Sequence, residues 1–270
     1  MKYYIYNRLN TNGKKPRVKG DAKIVDAIGL DYKKLFSSLA STDEVVIVGG
    51  DPSINHFIRR INGYKVRNNV YVKALGYGSD FVEDIGESIK DEVLLNPYIE
   101  KLPTVKIKNN ERPFINGIGF GLDGYCCEEA DKKKDKSPSA VINYTNIAIE
   151  GMLLKYKPCH VDVEVDGKAY SYDDVWFAAT MYGRYFGGGM KIAPSQKRNT
   201  DTLTLVIFSC RSRMLAFSQI TKVTKGTHVE NKELVKIFTG KNIHVKCAEK
   251  CAAEIDGVTI LNESEYWATI

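Results

Sequence analysis

The run Val45-Val46-Ile47-Val48, followed by Gly49-Gly50-Asp51-Pro52, is the segment that most narrows what this chain can fold into. Four successive apolar residues without polar alternation suit a strand buried on both faces, as in the middle of a parallel sheet. Two glycines then permit a sharp turn. Beyond it Ile54, Phe57, Ile58 and Ile61 recur at helical spacing,. Asp51 as N-cap, Pro52 as first helical residue and Gly63 just past the end set the expected limits of the helix.

The unit repeats on both sides. Tyr3–Tyr6 is aromatic and β-branched and reads as a strand, and the polar residues from Asn7 to Gly13 read as a loop before the basic stretch Lys14–Lys19,. A short strand is expected within Ala22–Leu30. Asp31 caps a helix over Tyr32–Ala40 that puts Leu35, Phe36 and Leu39 on one face,. Val70–Leu75 reads as a strand and Gly76-Tyr77-Gly78 as a tight loop. Ser79 or Asp80 then caps a helix to Ile85, with Asp80 and Glu83 at capping-box spacing,. Alternation of strand and helix predicts an α/β domain with a mostly parallel sheet over residues 1–105.

After Pro103 the pattern changes. Val105–Lys108, Pro113–Phe120, His160–Val165, Val175–Met181, Leu203–Phe208, Ile243–Cys247, Ala253–Ile255 and Glu265–Ile270 read as strands, with turns at Asp166-Gly167 and Asp256-Gly257,. Val141–Leu154 reads as one amphipathic helix, and Lys132–Lys136 as an exposed loop. Residues 106–270 are thus expected to form an antiparallel, β-sandwich-like domain with little helix.

A chain of 270 residues, 43% hydrophobic and 27% charged, excludes a disordered tail and buries a core without staples,. No uncharged run reaches the ~18–20 residues of a membrane helix. The first residues lack a hydrophobic signal core. Both point to a cytoplasmic protein. The net charge of +6 suits contact with anions and equally suits a solvated surface,. The six cysteines match no zinc spacing and read as reduced thiols,; a metal at Cys247 and Cys251 would need His244.

Ligands of open α/β sheets gather at the carboxyl ends of strands, and a helix N-terminus attracts phosphate. Gly49, Gly50, Asp51 and Ser53 therefore form one candidate phosphate site, with Asp51 placed to hold a cation on the phosphates. The alternative is a plain strand–turn–helix junction in which Asp51 only caps. Gly76-Tyr77-Gly78-Ser79-Asp80 is a second loop of the same kind.

These segments carry a family resemblance. Gly49-Gly50-Asp51-Pro52-Ser53-Ile54-Asn55 resembles the Gly-Gly-Asp-Gly-Thr-x-Asn loop of the diacylglycerol kinase catalytic family, which includes bacterial lipid kinases and sphingosine kinases. Gly76–Phe81 is similar to its Gly-Thr-Gly-Asn-Asp-Phe, and Tyr6-Asn7 with Gly13 to its first nucleotide loop. Phe114–Gly124 resembles the start of its second domain, and Tyr185–Pro194 a long segment within it. Lys225–His228 and Asp256-Gly257 fall where the family has Gly-x-His and Asp-Gly-Glu.

The resemblance implies an N-terminal α/β domain like those of phosphofructokinases and NAD kinases, then a β-sandwich, with ATP and Mg²⁺ in the cleft between them. It implies nucleotide contacts from Asn7, Gly49, Gly50, Asp51, Ser53, Asn55, Gly76, Gly78, Ser79 and Asp80. It also implies catalytic carboxylates at Asp256 and Asp123, and a metal at Asp201 where relatives carry an Asp-Asp-Gly turn. The partner implied is a lipid substrate at the membrane surface, with peripheral membrane contact, a homodimer as an option and no nucleic acid.

Several positions depart from the pattern. Pro52 replaces the last glycine of the first loop and removes an N–H donor. Tyr77 and Ser79 replace Thr and Asn, and Glu83 stands where relatives often carry Arg. Val258 stands in place of the Glu regarded as the base of the family, and valine accepts no proton. Three functions follow: a lipid kinase, a catalytically silent homologue with a binding or regulatory role, and an NAD kinase-like enzyme.

Overall fold

The computed structural model describes residues 1–8, 15–18, 20–75, 79–88, 90–137 and 142–270. Two compact units form, Met1–Leu102 and Pro103–Ile270, against an expected boundary at 105.

The first unit is a five-stranded sheet: β1 (Lys2–Tyr6), β2 (Ala22–Asp26), β3 (Glu44–Val48), β4 (Val70–Lys73) and β5 (Glu92–Leu94), in the order β2-β1-β3-β4-β5. The first four strands run parallel and β5 antiparallel. Val45 to Val48 are at most 2% exposed, so β3 is covered on both faces, as its unbroken apolar run requires,. Helix α1 spans Tyr32–Ser38 and is capped by Asp31, which accepts from Lys34 N–H at 3.0 Å. Helix α2 (Asp51–Arg60) buries Ile54, Phe57 and Ile58. Helix α3 covers Asp80–Ile85 and ends on left-handed Gly86,.

One expected cap is corrected, and of the two offered for α3 the first is the one formed. Gly50, not Asp51, is the N-cap of α2, which moves Pro52 to the second helical position. Ser79 is the N-cap of α3, so the pair Asp80 and Glu83 makes no capping box.

Among its described residues the second unit holds nine antiparallel strands. They are β6 (Thr104–Ile107), β7 (Asn110–Pro113), β8 (Gly117–Gly121), β9 (Cys159–Val165), β10 (Lys168–Met181), β11 (Leu203–Ser209), β12 (Val235–Gly240), β13 (Asn242–Ile255) and β14 (Val258–Thr269). The order is β12-β11-β10-β8-β13-β14-β6-β7, with β9 pairing both β10 and β13. Trp176, Phe177, Met181, Val206 and Phe208 centre a core sealed by Phe186, Ile192 and Val223. Both Asp-Gly turns have left-handed backbone at each residue, with φ of 46° and 82° at Asp166-Gly167 and 48° and 78° at Asp256-Gly257. That is the turn matching the twist of tight hairpins.

Helix is more abundant here than expected. Helix α4 runs Leu122–Lys136, so Lys132–Lys136 is the exposed end of a helix and not a loop. Val141 lies outside the described residues. The expected single helix to Leu154 is α5 (Tyr144–Glu150) followed by a π-type turn over Gly151–Lys155. Helices α6 (Arg213–Ser218) and α7 (Ile220–Lys225) were not expected. Among the described residues no helix is long and apolar enough to cross a membrane.

Candidate functional site

In the first unit the chain leaves β1 for β2 on one side and returns for β3 on the other. The loops after β1 and β3 therefore part at their carboxyl ends, the usual ligand crevice of an open α/β sheet. Asn7 follows β1 there, and Gly49-Gly50 follow β3. Gly49 has φ +149°, and a Cβ on it would lie 2.1 Å from Ser53 Oγ. Only glycine lets the chain turn this tightly onto Ser53. No side chain caps α2 at Gly50. The N-terminus of this ten-residue helix keeps its partial positive charge facing the crevice side of the sheet, although Pro52 has withdrawn one donor.

Asp51 sits 8% exposed at the start of α2. Its Oδ1 accepts from Ser79 Oγ at 2.8 Å and from Phe81 N–H at 3.2 Å, and its Oδ2 accepts from Asp80 N–H at 2.7 Å. Negative charge at the N-terminus of α3 is favourable, and each bond is charge-assisted. Asp51 thus joins the loop after β3 to the loop before α3, a role the motif alone did not disclose. Ser79 and Asn55 are fully buried and Asp80 is 6% exposed; of these expected nucleotide contacts, Ser79 and Asp80 bond Asp51 inside the unit. Gly13, Gly76, Tyr77 and Gly78 lie outside the described residues. Replacing Asp51→Asn turns one acceptor into an NH₂ group facing N–H donors. Urea unfolding is expected to register a loss of about 2–3 kcal/mol.

In the second unit Asp256 occupies the β13–β14 turn and is 1% exposed. Oδ2 accepts from Ile115 N–H at 2.8 Å; Oδ1 accepts from Asn116 N–H at 2.8 Å and Gly117 N–H at 3.1 Å. Arg198 closes the same segment from the other side, donating to Ile115 O and, at 2.6 Å, to Asn116 Oδ1. A carboxylate already accepting three amide protons is a poor proton acceptor. The Asp256 carboxylate is committed to positioning the entry to β8.

Asp123 is different. It lies in the first turn of α4, with its carboxylate over Gly119, where a Cβ would stand 2.1 Å from Asp123 Oδ2. Neither oxygen makes a hydrogen bond of good geometry. Burial pushes the Asp123 carboxyl up to about 6, against a smaller opposing effect of the Gly124 and Asp123 amides. Register places the 2%-exposed Glu254 directly opposite Gly119, and Glu254 Oε1 accepts from Gly257 N–H at 2.9 Å. Directly paired residues share a face of the sheet, so Gly119 makes room for two carboxylates on one side. Glu254, Asn116 and Arg198 were missed as site residues. A buried Glu two residues before Asp256 in an apolar strand was the available signal for Glu254.

Other expected positions resolve structurally. Val258 opens β14 opposite Ile255. His228 is fully buried and its Nε2 donates to Ile192 O at 3.1 Å, which ties the Lys225–His228 segment to Tyr185–Pro194. Burial holds the His228 imidazole below its ordinary range, as suits a neutral donor. Asp201 is exposed in a turn, and among the described residues no three His, Cys, Asp or Glu side chains are arranged to hold a metal. Asp201, like His244, Cys247 and Cys251, therefore belongs to no such group. The six cysteines are free thiols.

Comparison with known proteins agrees with this architecture. A family model described as the YegS C-terminal NAD kinase beta sandwich-like domain matches residues 116–262, more than half of the chain. A diacylglycerol kinase of Mycobacterium tuberculosis is 23% identical over 237 residues, 83% of this chain and 75% of that protein. A diacylglycerol kinase of Bacillus subtilis is 24% identical over 228 residues, 82% of this chain and 73% of that protein. The crystal structure of a diacylglycerol kinase from Bacillus anthracis superposes with a TM-score of 0.67 at 16% identity, covering 99% of this chain and 93% of that one.

Proposed function

The chain belongs to the diacylglycerol kinase and YegS-like lipid kinase family, and on that premise we propose that it transfers the γ-phosphate of ATP to a lipid hydroxyl such as that of diacylglycerol. The observation that carries the reading is the glycine turn at Gly49-Gly50, standing where β1 and β3 part and opening onto an uncapped helix N-terminus. Backbone amides and a helix dipole at such a point suit a phosphate chain. Asn7, Gly49, Gly50 and Ser53 are the residues proposed to meet it, while Asp51, Ser79 and Asp80 hold the two loops together beneath.

In the transfer the acceptor hydroxyl gives up its proton as its oxygen bonds to the γ-phosphorus, and ADP leaves with the bridging oxygen. Of the two carboxylates the family pattern suggests, Asp123 is the better base. Its oxygens are not committed to strong donors, and a carboxyl near 6 is ionised at neutral pH yet basic enough to take a proton,. A Mg²⁺ ion at such a site would be held by the nucleotide phosphates with one or two carboxylates and would neutralise phosphate charge, and no step is routed through it.

A second reading, a silent homologue with a binding or regulatory role, is favoured by Asp256 being committed to three amides and by Val258 beside it. One pair of measurements separates the readings. Saturating ATP at about one hundred times its Kd adds about 2.7 kcal/mol to a protein that binds it, seen as a raised melting temperature. Labelled ATP offered with diacylglycerol in mixed micelles, or with NAD, then reports the acceptor. Label in the lipid supports the kinase. No transfer to any acceptor, and above all no melting shift with ATP, supports the silent homologue, and label in NAD overturns the lipid assignment.

A further inference from the structure

Leu154 and Met214 are 76% and 70% exposed, and the next large apolar residue among those described, Met1, reaches only 49%. They belong to neighbouring elements, because α6 packs against the π-type turn Gly151–Lys155. Arg213 joins the two: Nη1 donates to Met152 O at 2.8 Å, Nη2 to Tyr156 O at 2.8 Å, and the guanidinium lies 5.6 Å from the Trp176 ring centre. Met152 and Trp176 belong to the core. The clamp therefore fixes the turn so that Met152 points inward while Leu154 and Met214 are held outward. Leu215, 44% exposed, widens the same tip. Large apolar side chains displayed together on a rigid support mark an interaction surface.

The charge around the tip selects the occupant. Residues 211–225 contain two arginines and two lysines and no carboxylate. Lys157 is exposed beside the turn. Of the acids near the patch, Glu150 is bonded to Lys155 at 2.7 Å and Asp174 to Arg211 at 3.1 Å, and Glu129 lies near enough to Lys155 to act on it. Apolar tips inside a basic rim fit an anionic bilayer, where the chains enter the interface and the cations meet headgroups. A second copy of the chain would instead set one basic rim against another.

We propose that the tip formed by α6 and the π-type turn docks the protein on anionic lipid membrane, through Leu154 and Met214 with Arg211 and Lys222 as headgroup contacts. The proposal rests on the lipid-directed activity argued above. Co-sedimentation of the full chain, without nucleotide or acceptor, tests it with vesicles of phosphatidylcholine alone or mixed equally with phosphatidylglycerol. Binding to the anionic vesicles is expected to be about tenfold tighter than to neutral ones and to fall in about 0.5 M salt.

The double change Leu154→Asp with Met214→Asp is expected to weaken binding about tenfold or more, with an unchanged melting temperature. Leu261→Asp, at an exposed apolar residue elsewhere in the second unit, leaves binding intact. Should the double variant misfold, Leu154→Gln with Met214→Gln serves in its place. Wild-type protein that ignores anionic vesicles, a double variant that binds normally, or a wild-type dimer that the variant dissociates would each overturn the docking surface. Transfer to a micellar acceptor without vesicle binding removes this surface alone. Vesicle binding without transfer to any acceptor removes the kinase reading alone.

Discussion

Asp256→Ala is expected to destabilise the second unit by about 4 kcal/mol, the largest stability effect of any single change considered. Three buried amides, at Ile115, Asn116 and Gly117, lose their acceptor at once. Alanine also tolerates φ of +48° poorly, at about 1–2 kcal/mol,. Asp256→Asn keeps the left-handed turn, which asparagine adopts readily, and keeps one acceptor oxygen. It should lose about half as much. The ordering Ala worse than Asn, read by urea unfolding, separates a structural carboxylate from a catalytic one. A proton-accepting role would instead leave both variants folded and equally inactive.

Asp123→Asn carries the opposite pair of signs. Loss of a general base lowers transfer about 10²–10⁴-fold, read in the labelled-ATP assay. Stability should not fall, because the change removes a charge that burial penalises. The sign follows from linkage. The folded carboxyl titrates near 6, above the model-compound value of 3.8, so between these values the folded state holds more protons than the unfolded one. Stability therefore decreases as pH rises through that window and is level above it. The Asn variant loses that slope, and wild-type activity should rise through about pH 6 as the base ionises. An inactive variant that is also unstable, or a wild-type profile flat from pH 5 to 7, would remove Asp123 from the reaction.

Much of the fold was legible because its signals are local. The apolar run Val45–Val48 names a doubly covered strand, and Asp166-Gly167 and Asp256-Gly257 name tight hairpins. Readings failed where composition hid geometry. The polar residues between Cys247 and Cys251 made β13 look like two strands. It is one strand with register shifts in its pairing with β14 there. The lysines at 132–136 looked like a loop because they are exposed, yet they extend the helix that Cys126, Cys127 and Ala130 anchor from within. Helices α6 and α7 are six residues each, too short for periodicity to declare,.

The candidate site divides the same way. The glycine turn after β3 was set by the sequence, because a sharp turn at a strand end leaves a residue-level mark. What Asp51 and Asp256 do was decided only by tertiary structure. Their donors lie 28–30 and 139–141 residues away in the chain. Proton affinity likewise belongs to the fold: Asp123 and Asp256 are the same residue type, and burial over a glycine raises one toward neutral pH while three amides claim the other. A sequence prescribes which groups are available and how the chain turns near them; the desolvation and hydrogen bonds that set their chemistry arise only when distant strands close around them.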